Sequence, residues 1–169
     1  MGSTLTVDNI QGATTAANVK LPEGSILQTK QFSLTTAETI TSTSFADSSV
    51  TVNITPKYAT SKVRVTINGM FGMNFWNASP YFRLRRDSTT ISANDGAHWP
   101  RVQYDSTRDS ESGLHIVMDI LDSPATTNAV TYTLQGRSTH GSYPLYLNRT
   151  VVNSGPMAQT TITVMEVSV

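Results

Sequence analysis

The side chains able to do acid–base, nucleophilic or ligand chemistry are few and scattered. Three histidines occur, His98, His115 and His140, and no two stand at the HxH or HxxxH spacing that brings two imidazoles to one metal ion. Cysteine is absent, which removes disulfides and thiolate metal sites. Asp105, Asp109 and Glu111 cluster in YDSTRDSESG, but not at the D-x-D-x-D-G spacing of a calcium loop. A solvated loop is the plain reading of that cluster, and a divalent ion shared at a subunit junction is the sharper one. Asp87, Asp95, Asp119 and Asp122 are dispersed along the chain. Glycoside hydrolysis requires two carboxylates at a fixed separation, and nothing in the spacing selects a pair. The expectation is therefore a chain with no catalytic residue, no metal ligand and no cofactor.

Two other groups suit recognition better than catalysis. Arg83, Arg85 and Arg86 form the main basic cluster. On a strand, Arg83 and Arg85 share one face while Leu84 points the other way. That face is solvated, or pairs across a subunit junction, or meets a phosphate or acidic glycan. Aromatic residues gather between positions 71 and 104: Phe71, Phe75, Trp76, Tyr81, Phe82, Trp99 and Tyr104. Part of this set must fill the core, because aromatics bury large areas. The remainder suits a subunit interface or the face of a sugar ring, where Trp, Tyr, Met and Arg are enriched. Trp76, Tyr81, Arg83, Arg85, Trp99 and Tyr104 are the resulting candidates for interface or glycan contact. The N-x-S/T sequons at Asn53, Asn77 and Asn148 carry meaning only in a secretory pathway.

These residues must be positioned by strands. Val50, Val52 and Ile54 alternate with polar residues, as do Val63, Val65 and Ile67. The same period of two runs through Phe82 and Leu84; Leu114, Ile116, Met118 and Ile120; Val130, Tyr132 and Leu134; and Ile162 and Val164. One-sided alternation puts one face of each strand inward and favours antiparallel sheets. Turn-forming clusters separate the runs at 55–61, 92–98, 121–128 and 153–159. No stretch keeps a 3.6-residue period for three turns, and no fixed repeat or heptad appears. The expected fold is all-β, an antiparallel β-sandwich of jelly-roll type, with about seven to ten strands.

Composition narrows the function class. The 169 residues fit one domain and a short extension. Net charge is zero and 14% of residues are charged, against the basic excess of a nucleic-acid binder. No apolar run approaches the length needed to span a bilayer, and the opening MGSTLTVDNIQG lacks the basic and apolar regions of a signal peptide. Met1, Gly2 and Thr6 fit the loose myristoylation pattern, but no polybasic stretch follows as a second anchor. No membrane insertion is expected. Residues 1–25 stand apart from the rest: Leu5, Val7, Ile10, Val19 and Leu21 are too widely spaced for a core of their own, and Pro22 and Gly24 mark the boundary. The segment reads as an extended attachment arm, or else as a plain tail, ahead of a sandwich domain at 26–169.

Several stretches together resemble the fibre or appendage proteins of tailed bacteriophages. STLTVDNIQGATTA is similar to the short leader of such proteins, and LPEGSILQTKQFSL to their first strand. VNITPKYATSKVRVTINGMF is similar to an I-T-P-K-x-A-T-S-K-[VI] hairpin, and FRLRRDSTTI, HIVMDILDSPATTNAVTYTLQGRS and TITVMEV continue the pattern in order. Together they cover most of residues 3–167. The resemblance implies a virion structural protein, homotrimeric, docked through its N-terminal part to tail, neck or capsid proteins, with contact to a host surface glycan as a further implication. It implies no catalytic residue. Because the chain is short for a whole fibre, a capsid-decorating role stays open beside the appendage role. A free carbohydrate-binding module is the rival from another class.

Overall fold

The computed structural model describes residues 21–74, 78–91 and 113–169. Ten strands run through them and no helix: β1 (Ile26–Leu34), β2 (Glu38–Ile40), β3 (Ala46–Ile54), β4 (Lys62–Gly72), β5 (Pro80–Arg86), β6 (Thr89–Thr90), β7 (Gly113–Asp122), β8 (Val130–Ser138), β9 (Leu145–Leu147) and β10 (Thr160–Val167). Every pairing is antiparallel. One sheet holds β1-β10-β4, with β7 on the far side of β4, the short β9 paired with the last residues of β4, and β2 paired with β9; the other holds β3-β8-β5-β6. The fold is an antiparallel β-sandwich.

Leaving out β2 and β9, the eight remaining strands pair first with last (β1 with β10), second with seventh (β3 with β8), third with sixth (β4 with β7) and fourth with fifth (β5 with β6). That is one long antiparallel hairpin rolled up so that its pairs alternate between two sheets, the jelly-roll arrangement. The tip of the roll is the turn from β5 to β6. Asp87 there has φ of 48° and its carboxylate accepts the Thr131 N–H at 2.9 Å. An aspartate tolerates this left-handed backbone better than most residues.

Alternation builds the core as the sequence requires. Val63, Val65 and Ile67 of β4, Ile162 and Val164 of β10, and Ile116 and Met118 of β7 point inward from the first sheet. Val50, Val52 and Ile54 of β3, Phe82 and Leu84 of β5, and Tyr132 and Leu134 of β8 meet them from the second. The Phe71 and Phe82 rings join the sheets edge to face, with centroids 5.1 Å apart. β3 carries a bulge between Asp47 and Thr51, and there Ser48, inward in phase with Val50 and Val52, donates its hydroxyl to the Leu134 carbonyl at 2.8 Å. Before β1, a turn over Pro22–Ser25 is clipped to the C-terminal end: the Gly24 N–H donates to the Ser168 carbonyl at 2.8 Å, and the Ser168 N–H to the Ser25 carbonyl at 2.9 Å.

Candidate functional site

Polar side chains of the described residues gather in four places: the two ends of the sandwich, the outer face of the second sheet, and the outer face of the first. The ends hold the fold together. At one end, a single inward rung of the first sheet runs Gln28, Glu166, Val63, Asp122 across β1, β10, β4 and β7. Glu166 is fully buried. Its carboxylate accepts the backbone N–H groups of Lys57 and Tyr58 at 2.7 and 3.3 Å and the Gln28 amide at 2.6 Å. A buried carboxylate is tolerated where such donors surround it. The loop of residues 55–61 is thereby folded down onto β10.

Asp122, at the other end of that rung, accepts Arg86 at 2.5 Å and the Tyr132 hydroxyl at 2.8 Å, tying β7 to β5 and β8 across the sandwich. Burial draws the Arg86 guanidinium down, but Asp122 holds it above its ordinary pKa. Burial and the Asp122 carboxylate push the Tyr132 phenol far above its usual value of 10.0. At the opposite end, Asn148 is fully buried with φ of 61°. Its amide donates to the carbonyls of Leu34 and Thr36 at 2.8 and 2.9 Å, and its side-chain oxygen accepts the Thr160 hydroxyl at 2.7 Å.

On the outer face of the second sheet, Asp47, Gln135 and Arg83 lie in register on β3, β8 and β5. Arg83 Nε donates to Gln135 Oε1 at 2.6 Å, Gln135 Nε2 donates to Asp47 Oδ1 at 2.6 Å, and Arg85 donates to Asp47 Oδ2 at 2.6 Å. Beside this row the Arg83 guanidinium lies 4.2 Å over the Phe45 ring, and Arg137 lies 4.3 Å over Tyr81. Arginine stacks on aromatic faces through the ring quadrupole. The face is a half-buried mosaic of three guanidiniums, one carboxylate and two rings. Arg86, their neighbour in sequence, points the other way, into the sandwich.

The outer face of the first sheet differs in character. Gln31, Thr66, Asn68, Gln159, Thr161 and Thr163 line an open groove of about 430 Å³. The lining is amide and hydroxyl only. Next to it, Arg64 on β4 grips Asp119 on β7 through two hydrogen bonds of 2.9 and 2.5 Å, which holds the Asp119 carboxyl below the usual range. At the edge, Val117 and Leu121 of β7 are 60% and 56% exposed.

Of the candidates read from the sequence, Tyr81, Arg83 and Arg85 share the outer face of the second sheet, and Leu21 is exposed just before the Pro22–Ser25 turn. Leu5, Val7, Ile10, Val19, Trp76, Trp99 and Tyr104 lie outside the described residues, as do His98, Asp95, Asp105, Asp109 and Glu111. His115 is exposed on β7, and His140 sits in the turn after β8, its ring 4.9 Å from that of Tyr143. Among the described residues no three His, Asp or Glu side chains group as metal ligands do. Glu166, Asp122 and Asn148 did not stand out in the sequence as structural residues. The signal for the two carboxylates was their phase: Glu166 falls in step with Ile162 and Val164, and Asp122 with Ile116, Met118 and Ile120. Comparison with known protein families and with curated proteins gives no match for this chain.

Proposed function

We propose that the chain is a non-catalytic structural module of a tailed-bacteriophage virion, a fibre or appendage component. In this reading residues 1–25 dock it to other virion proteins, and copies of the jelly roll associate, as a trimer, to project from the particle. The observation that carries the reading is the exposed aliphatic side chains on the open edge strands, Ile26 on β1 and Val117 and Leu121 on β7. Such edges invite a neighbour unless blunted by charge, proline or a covering segment. Jelly-roll sandwiches serve widely as viral capsid and lectin domains, which supports the reading by analogy of fold. The mass of the full chain in solution tests it. Light scattering at micromolar concentration is expected to give three times the 18.3 kDa chain. A mass of one chain would sink self-association. A capsid-decorating role uses the same module, and immunogold labelling of particles separates capsid from tail.

The second reading is a carbohydrate-binding module. It is favoured by the groove of Gln31, Thr66, Asn68, Gln159, Thr161 and Thr163, whose amides and hydroxyls match neutral sugar hydroxyls. A monomer that binds oligosaccharide and is absent from purified particles would favour it over the structural role.

A further inference from the structure

We propose that the outer face of the second sheet binds a carboxylate-bearing sugar, of the uronic or sialic acid kind, through the guanidinium of Arg137. The proposal rests on the reading of an appendage that meets a host surface, and it names the chemistry recognised there. Among the described residues, Arg83, Arg85 and Arg137 stand on this face against one carboxylate, Asp47. Asp47 is taken by Arg85 and Gln135, at 2.6 Å each. Glu38, Asp87 and Asp122 also touch strands of this sheet, but they accept the Ser49 N–H, the Thr131 N–H, and Arg86 with Tyr132; none bonds to Arg85 or Arg137. Arg137 therefore pairs with no carboxylate among the described residues. Its hydrogen bond is a long one, from Nη1 to the Thr43 carbonyl at 3.3 Å, and its Nε is buried with no partner. A guanidinium carries five N–H donors, so the Nη edge keeps donors for a ligand.

The surroundings hold that edge in place. The Arg137 guanidinium lies 4.3 Å over the Tyr81 ring and 5.2 Å from the Phe45 ring, which the Arg83 guanidinium also covers at 4.2 Å. Arginine held on aromatic faces is pre-organised for a planar, bidentate acceptor such as a carboxylate. Two like charges share the Phe45 ring on a half-buried face, and an anion there relieves their repulsion. Asp47 selects the rest of the ligand. It faces Gln135, two residues along β8 from Arg137, which is about 7 Å. Its side chain is 49% exposed, and a carboxylate has about four acceptor sites, of which Arg85 and Gln135 use two. Asp47 thus accepts hydroxyls and repels a second anion. A sugar acid supplies one carboxylate and several hydroxyls within that span. A neutral sugar leaves Arg137 unpaired, and a densely sulfated or phosphorylated polymer meets Asp47 with like charge.

The test is a calorimetric titration of the full chain with trigalacturonate and with sialyllactose, each against its own methyl ester, which keeps the hydroxyls and removes the charge. At least one of the two acids is expected to bind in the millimolar range or tighter, its ester about tenfold more weakly. Arg137→Gln is expected to weaken the acid about tenfold and leave the ester unchanged, with Arg137→Lys in between because it keeps charge but loses the bidentate edge. The comparison of acid with ester needs no variant, so it stands even where a substitution unsettles the fold. Failure of both acids to bind at millimolar concentration would overturn the proposal. So would equal binding of acid and ester; if that binding were lost on Asn68→Ala and kept on Arg137→Gln, the sugar lies in the groove of the first sheet. Displacement of the acid by equimolar inorganic phosphate or sulfate would also overturn it, by showing a site for small anions in general. Particle incorporation tests the virion reading separately: a chain absent from particles that still prefers acid to ester would sink that reading and leave the site standing.

Discussion

At the scale of single residues, the polar groups that matter most are those facing inward. Tyr132 shows why. Its ring fills the core, and its hydroxyl, 2.8 Å from Asp122, belongs to the contact that joins β7 to the second sheet. Burial, then the neighbouring carboxylate, raises its pKa above the usual 10.0. In the unfolded chain the phenol ionises near that usual value; in the folded chain it stays protonated. The native state therefore holds the proton longer, so this contribution to stability is complete below about pH 10 and falls away as pH rises further. Tyr132→Phe removes the hydroxyl but keeps the ring. It is expected to cost about 1–2 kcal/mol at neutral pH, since Asp122 retains Arg86 as a partner. Above pH 10 the variant should lose stability more gradually than the parent, the difference approaching one proton, or about 1.4 kcal/mol per pH unit. Urea midpoints from pH 8 to 11 measure both effects. Parallel pH profiles would show that Tyr132 ionises as freely in the folded state as in the unfolded one.

At the scale of elements, the long strands announced themselves and the short ones did not. β3, β4, β7, β8 and β10 each carry three or more turns of a period-2 pattern, and their inward residues are the ones that alternation selects. β2, β6 and β9 have three, two and three residues, too few for a period to register. Their existence depends on the strands beside them. Pairing order was likewise hidden, because Phe32 meets Ile162 across most of the chain and no local pattern encodes that partner. Val117 and Leu121, apolar but out of phase with Ile116 and Met118, were a legible sign of an outward apolar edge. The glycines of β4 were not legible as packing residues at all. At Gly72 a Cβ would lie 2.4 Å from the Arg149 carbonyl oxygen and 2.8 Å from Thr150 Cα. Both obstacles are backbone, so the segment after β9 must move to admit a methyl group. Gly72→Ala is expected to cost about 2–4 kcal/mol in urea unfolding. Gly141→Ala, where the nearest atom is a Thr43 methyl at 3.8 Å, is the control and should change stability by less than about 0.5 kcal/mol. Equal losses at the two sites would mean that the close approach between β4 and the Arg149–Thr150 backbone is not what requires glycine at position 72.

At the scale of the whole molecule, the proposed function divides the work between the jelly roll and residues 1–25. Among the described residues the roll starts at the Pro22–Ser25 turn: that turn is fastened to Ser168, both ends of the sandwich hold buried polar groups, and the apolar core draws on both sheets. In sequence, residues 1–25 hold too few clustered apolar positions for a core of their own. Yet Leu5, Val7, Ile10, Val19 and Leu21 give the arm five apolar side chains, and Leu21 is 46% exposed where the arm meets the roll. A solvated tether has no use for such residues, because scattered apolar groups bury too little area to offset the entropy of ordering. On the proposed reading, each would fill a shallow pocket of another virion protein, and STLTVDNI has the alternation to add a strand to an exposed sheet edge. Deleting residues 1–21 is therefore expected to leave the melting temperature of the jelly roll within about 2 °C of the parent, since the clip to Ser168 survives the cut. The same deletion is expected to abolish incorporation into particles, read by quantitative blotting of purified virions produced with the truncated chain. Truncated chains at normal copy number would place the docking surface on the roll itself. A fall of ten degrees or more in melting temperature would instead make the arm part of the folded domain, and the loss of incorporation a consequence of instability.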